Sequence, residues 1–209
     1  MARKPADQTV NREDIILAAA EVLHRNGYEA TTMKDIGALV NLTAASLYHH
    51  FRNKDSLLLA VLEEGLAYAI ARLEPIVAAD QSNAQKLAAM IKAHVLGVTQ
   101  HTAVGATMVF EIRSLMRKKP TGKMGVDESF MERRNVFFAQ RDHFEDLFRQ
   151  VVQAGIEAGE FYPVDVGIFV KTMLGANNWV GVWYKEGGRL SGETIAALLA
   201  ETSLKALQP

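Results

Sequence analysis

Cysteine is absent from the 209 residues. Disulfides, thiolate zinc sites and cysteine nucleophiles are therefore excluded, and a reducing cytoplasm is the expected location. An excess of charge is missing too: 23 Lys and Arg stand against 24 Asp and Glu, a net charge of −1. Nucleic-acid binders usually carry a basic footprint. Here even residues 1–55 balance, with Arg3, Lys4, Arg12, Arg25, Lys34, Arg52 and Lys54 offset by seven acidic side chains. Any DNA contact must come from where charges sit. The opening residues, MARKPADQTV, contain no apolar signal-peptide core. The stretch from Ala93 to Phe110 carries no formal charge, but His94, Thr99, Gln100, His101, Thr102 and Thr107 interrupt it. It reads as a buried helix pair, and no membrane partner is expected. The G-x-S-x-G elbow, the P-loop and the dinucleotide fingerprint are all lacking. No catalytic residue, metal ligand or cofactor is assigned.

What remains is helical. Hydrophobic residues make up 49% of the chain and recur at helical spacing, without strand-like alternation. An all-α fold is expected. Asn11 is a good N-cap for a first helix over 11–26, with Gly27 as its stop. Thr32 and Asp35 have capping-box spacing for a second helix ending near Val40. Asn41 tolerates the left-handed turn that follows, and Thr43 caps a third helix ending near His50. A long helix begins at Asp55 and runs to about Leu73, where Pro75 marks its end or a kink. Further helices are placed at 83–99, 102–117, 132–158, 164–185 and 192–207. The segment 118–131, with Pro and two Gly, reads as a mobile loop.

The first three helices have helix-turn-helix proportions. The third must present small and polar residues at its leading end to enter a DNA groove. Thr43, Ala44, Ala45 and Ser46 suit that task, while Leu47 and Phe51 anchor the helix from behind. The run from Thr31 to Leu57, TTMKDIGALVNLTAASLYHHFRNKDSL, resembles the DNA-binding signature of the TetR/AcrR regulators, most specifically in Leu47-Tyr48-His49-His50-Phe51, Lys54 and Leu57. The family usually has Gly at position 41 and Ala at 37 and 40. Gly37 in place of Ala is expected to cost the second helix about 1 kcal/mol.

The resemblance implies two domains. Residues 1–54 would form the DNA-binding unit with a flexible arm; residues 55–209 would bind effector and dimerise. It implies that Thr43, Ala44, Ser46 and His49 face the major groove. Thr32, Tyr48 and Lys54 would hold phosphates, and Arg3, Lys4 and Arg12 would reach DNA from the arm. The partners implied are double-stranded palindromic operator DNA, a second copy of the chain and a small-molecule effector.

In the larger domain, Ile168, Met173, Leu174, Trp179, Val180 and Trp183, with Ile195 and Leu198, are candidates for a four-helix dimer interface. Met108, Phe110, Leu115, Met116, Phe137, Phe144, Phe148 and Met173 are candidates to line an effector site, although such stripes also build ordinary cores. The stretch GANNWVGVWYKEGGRLS is similar to the branch of the family that senses acyl-CoA thioesters in fatty-acid or steroid breakdown. That likeness adds Asn177 and Trp179 to the effector residues. It also calls for cations on the CoA phosphates, with Arg113, Arg117, Lys118, Arg133, Arg134 and Arg141 as candidates. Three alternatives stand beside this reading: a drug-efflux regulator sensing cationic or aromatic compounds, an all-helical enzyme, and a helical adaptor that binds protein only.

Overall fold

The computed structural model describes residues 10–116 and 128–208, with backbone only at Thr102, Met108 to Phe110 and Arg113. Among the described residues every regular element is a helix. In chain order they are α1 (Arg12–Ala30), α2 (Met33–Leu39), α3 (Ala44–His50), α4 (Lys54–Ala78), α5 (Asn83–Gln100), α6 (Thr102–Phe110), α7 (Ile112–Met116), α8 (Glu128–Glu157), α9 (Val166–Trp183) and α10 (Gly192–Lys205). None of these is long and apolar enough to cross a membrane.

Local chemistry sets most boundaries. Asn11, Thr32, Asn53 and Ser82 each close a capping box at the start of their helix. Gly27 takes φ +73°, which interrupts α1, and one further turn follows before Thr31. Asn41 adopts the left-handed conformation, φ 56°, in the turn between α2 and α3. Several boundaries depart from the sequence reading. Pro75 lies inside α4, which continues to Ala78, so it neither stops nor delimits the helix. The helix expected over 102–117 is broken at Glu111 into α6 and α7. Residues 128–131 of the expected loop belong to α8, and 118–127 lie outside the described residues.

Gly37 reverses an expectation. A Cβ there would come within 2.6 Å of the Leu42 carbonyl oxygen, while the Leu42 amide donates to the Gly37 carbonyl at 2.9 Å. The turn folds back onto a spot that only glycine leaves vacant. Propensity alone makes Ala the better residue; the close approach makes it the worse one. Gly37→Ala should therefore lower stability by about 1–3 kcal/mol instead of raising it, by overpacking against rigid backbone. Urea unfolding followed by circular dichroism checks the sign.

Helix α4 holds the molecule together. Leu57 through Leu62 are consecutively buried, because α4 is flanked by α1, α5, α6 and α8. The small N-terminal unit meets the rest through α1, which packs on both α4 and α6. Helices α5, α8, α9 and α10 form the body, with α10 laid along α5. Phe137, Phe144, Phe148 and Val151, spaced by seven, four and three, share the buried face of α8.

Candidate nucleic-acid interface and effector interior

Helix α3 is anchored by one fully buried side chain and exposes most of the rest. Leu47 is fully buried, and Phe51, just past the C-terminus, is buried under the Arg12 guanidinium, 5.1 Å from its ring centre. Thr43 caps the helix by accepting from the Ser46 amide at 3.1 Å, and the two hydroxyls are 2.9 Å apart. Thr43, Ala45, Tyr48, His49 and His50 are exposed, whereas Ser46 is half-buried. Ala44 packs partly against the core. It stands three residues before Leu47 and so shares its inward face. Ala44, expected to face the groove, is thus half-buried toward Leu47, and its neighbour Ala45 is the exposed one.

Thr32 sits at the start of α2, its hydroxyl donating to Asp35 at 2.6 Å. That bond, with the Thr32 amide, holds the Asp35 carboxyl below its ordinary pKa range. Lys54 requires a correction. Its Nζ donates to the carbonyls of Tyr28 (2.6 Å), Thr31 (2.9 Å) and Glu29 (3.3 Å) and lies 4.2 Å from the Tyr28 ring centre. Three N–H bonds are spent on the carbonyl-rich end of α1, where a cation is favoured. Lys54 therefore ties α4 to α1 and sets the pose of the unit, leaving no donor for a phosphate. Arg3 and Lys4 lie outside the described residues.

A second tie crosses from the small unit to the body. The Glu111 carboxylate, at the break between α6 and α7, accepts from the Tyr28 amide at 2.9 Å, and the Tyr28 hydroxyl bonds Asp55. A cleft of about 210 Å³ lined by Leu23, His24, Gly27, Ala106, Thr107 and Glu111 opens at this junction.

These features meet the pattern of a family. Residues 15–61 match the model for bacterial regulatory proteins of the tetR family, and residues 80–207 match the tetracyclin repressor-like C-terminal domain. The chain belongs to the TetR family. This regulator is 28% identical over 193 residues to the HTH-type transcriptional repressor KstR2 of Mycolicibacterium smegmatis, covering 91% of this chain and 87% of that one. It is 29% identical over 178 residues to the transcriptional activator FasR of the same organism, with 85% and 75% covered. The solved KstR2 of Mycobacterium tuberculosis superposes with TM-score 0.81 at 22% identity, covering 98% of both chains. AibR, solved with isovaleryl coenzyme A and operator DNA, superposes with TM-score 0.72 at 26% identity over 94% of this chain and 97% of that one. The TetR-family chain is thus a transcriptional regulator by kinship, with the all-helical fold of its solved relatives.

In the body of the regulator, the expected effector residues separate. Phe137, Phe144, Phe148, Met173 and Asn177 are buried together with Leu115. Trp179, at 53% exposure, lies on the outer side of α9, and Arg141 is also exposed, so neither faces that interior. Met116 is exposed. Arg133 pairs with Glu63, and Arg134 donates to the Leu115 carbonyl at 3.4 Å. The side chains of Met108, Phe110 and Arg113, and all of Arg117 and Lys118, lie outside the described residues.

His94 was not singled out from sequence as a site residue. Its ring meets Phe144 at a tilt and Phe148 edge-on, with centroids 5.3 and 6.4 Å apart, and its Nε2 lies 3.0 Å from the Asn178 amide oxygen, to which it donates. Burial pushes its pKa down to about 4 from an ordinary 6.5, so it is neutral near pH 7. A base with its folded pKa depressed supports the fold above 6.5 and loses that support as pH falls toward 4. Wild type should lose about 2–3 kcal/mol of stability across this window relative to His94→Gln. Melting curves of both proteins from pH 7 to 4.5 test this.

The dimer candidates also separate. Ile168, Trp179, Trp183 and Leu198 are exposed. Ile195, 4% exposed, is corrected to the monomer core, along with Met173, Leu174 and Val180. Its side of α10 is the one laid against α5, where Gly192 already touches Thr99.

Proposed function

We propose that the protein is a homodimeric, ligand-responsive repressor released from a palindromic operator by an acyl-CoA-type effector. The observation that carries the DNA-binding part is α3: a capped helix whose outer face offers Thr43, Ala45, Tyr48 and His49 around a buried Leu47. One such unit contacts few bases, so two are needed to read both half-sites of a palindrome. Residues 1–54 would serve as the reading unit and residues 55–209 as the sensor and dimerisation unit. The exposed line of Ile168, Gly175, Trp179 and Trp183 on α9, and the exposed Leu198 of α10, would offer an apolar face to the second copy.

The effector class rests on the likeness to AibR, whose solved complex holds isovaleryl coenzyme A and operator DNA. Repression rests on KstR2, the relative that matches more of this chain than the activator FasR does. In this reading Glu111 is the coupling point. Effector entering between the body helices shifts α6 and α7, and the Glu111–Tyr28 bond transmits that shift to α1 and the reading heads.

The test is a gel-shift titration on a palindromic fragment from the upstream region of the gene, with and without acyl-CoA esters. Binding should weaken steeply with salt, and a CoA ester should release the DNA. Release by cationic drugs and not by CoA esters would move the protein to the efflux-regulator class. Indifference to the DNA would reject the regulator reading itself.

A further inference from the structure

The interior contains two adjacent amides of opposite condition. Asn178 is paired within the protein, its Oδ1 accepting from His94 at 3.0 Å. Asn177 is 1% exposed, and neither its Nδ2 nor its Oδ1 has a hydrogen-bond partner among the described residues. Buried amides are nearly always paired, because an unmet donor or acceptor keeps its full desolvation cost. A leucine of similar size would fill the place without that cost. The amide is poorly explained by packing and well explained by a partner that arrives from outside.

Its position agrees. Met173, Asn177 and Gly181 recur every four residues on α9 and are all buried, so they form one line along the helix. The Cβ position of Gly181 lies 3.1 Å from Val98 of α5 and 3.6 Å from the backbone of Ala106 in α6. The line therefore faces the seam between α5 and α6. One residue round the helix, the Asn178–His94 pair rests on the rings of Phe144 and Phe148. Asn177 is thus a single unmet amide on an apolar line of α9, beside a hydrogen-bonded His–Asn pair on an aromatic base.

We propose that Asn177 is the hydrogen-bonding anchor of the effector site, and that it holds an uncharged oxygen of the effector, a ketone, hydroxyl or thioester carbonyl, within an otherwise apolar interior. This rests on the effector reading given above and narrows it. A ketone or thioester oxygen accepts from the amide N–H; a hydroxyl also donates to Oδ1. A carboxylate or ammonium would need a counter-charge, and the neighbouring imidazole is neutral.

The test uses the full chain with four probes: octanoyl-CoA, 7-oxo-octanoyl-CoA, 2-octanone and octane. Asn177→Leu is the variant, and wild-type and variant affinities are compared by calorimetry and thermal shift. Without ligand, Asn177→Leu should melt about 2–5 °C higher, since an unmet polar group is gone. Wild type should favour at least one carbonyl over its matched control, 2-octanone over octane or the oxo-ester over octanoyl-CoA, by roughly tenfold, as a lost hydrogen bond to a buried group predicts. The variant should erase that preference and keep affinity for octane. If octanoyl-CoA and its oxo form bind wild type equally and the variant weakens both about tenfold, the thioester carbonyl is the oxygen held, and the anchor stands. If no CoA ester binds while 2-octanone is preferred over octane, the anchor stands and the CoA reading falls. The proposal is overturned if wild type shows neither a carbonyl preference nor a loss of ester binding on substitution, or if Asn177→Leu retains the preference. A variant that melts lower, as a damaged core would, also overturns it.

Discussion

Ala45→Glu should abolish operator binding while leaving the melting temperature within about a degree of wild type. Position 45 is exposed at the leading end of α3, so the new carboxylate stays in water in the free protein and costs little there. On DNA the same carboxylate would lie among groove edges and phosphates, where one negative charge meets many. It also lengthens a side chain whose smallness lets the helix approach the bases. A loss of about 100-fold or more at moderate salt is expected, since the repulsion acts in both half-sites of a dimer. Tyr48→Ala should behave differently, weakening all sequences by a similar and smaller factor, because an exposed phenol at the helix edge is placed for phosphate. Gel shifts on operator and scrambled DNA separate the two. If Ala45→Glu bound operator as wild type does, α3 would not be the reading helix.

The double substitution Trp179→Glu, Trp183→Glu should yield a folded monomer. Both indoles are about half exposed, at 53% and 49%, and neither belongs to the buried core of the chain. In a two-fold interface each new carboxylate would face its own copy or a neighbouring apolar group, which costs several kcal/mol per pair. Light scattering should report half the wild-type mass, with an unchanged helical spectrum. Operator affinity should drop by about 100-fold or more as the second half-site is lost. A stable dimer surviving both substitutions would move the interface away from α9.

Which parts of this architecture were readable beforehand follows a simple division. Asn11, Thr32 and Thr43 cap helices through bonds to residues three positions on, and Asn41 turns the chain by its own backbone preference. Such interactions are local, so a linear pattern records them. The stripe of Phe137, Phe144 and Phe148 was legible for the same reason, because helical periodicity alone brings these rings to one face. Pro75 does not end the helix, because burial of α4 on several sides carries it through a residue that would end an isolated one.

The candidate site was legible only in its outline. Ala44 and Ala45 look alike in sequence, and their separation needs the inward direction that Leu47 defines. Lys54 has every appearance of a phosphate ligand until the end of α1 is brought beside it, twenty-three or more residues back along the chain. Gly37 has the appearance of a defect until the Leu42 carbonyl fills its place. Trp179 and Asn177 are two residues apart and lie on opposite sides of α9, one outward and one sealed inside.

The amino-acid order by itself determined an all-helical chain, the helix-turn-helix at its start and the residues able to cap and turn it, because these depend on neighbours within one or two turns. The tertiary structure decided which cation meets a carbonyl end, which tryptophans stay outside, and which asparagine is left without a partner among the described residues. Those outcomes depend on distances between segments far apart in sequence, and no local periodicity encodes them.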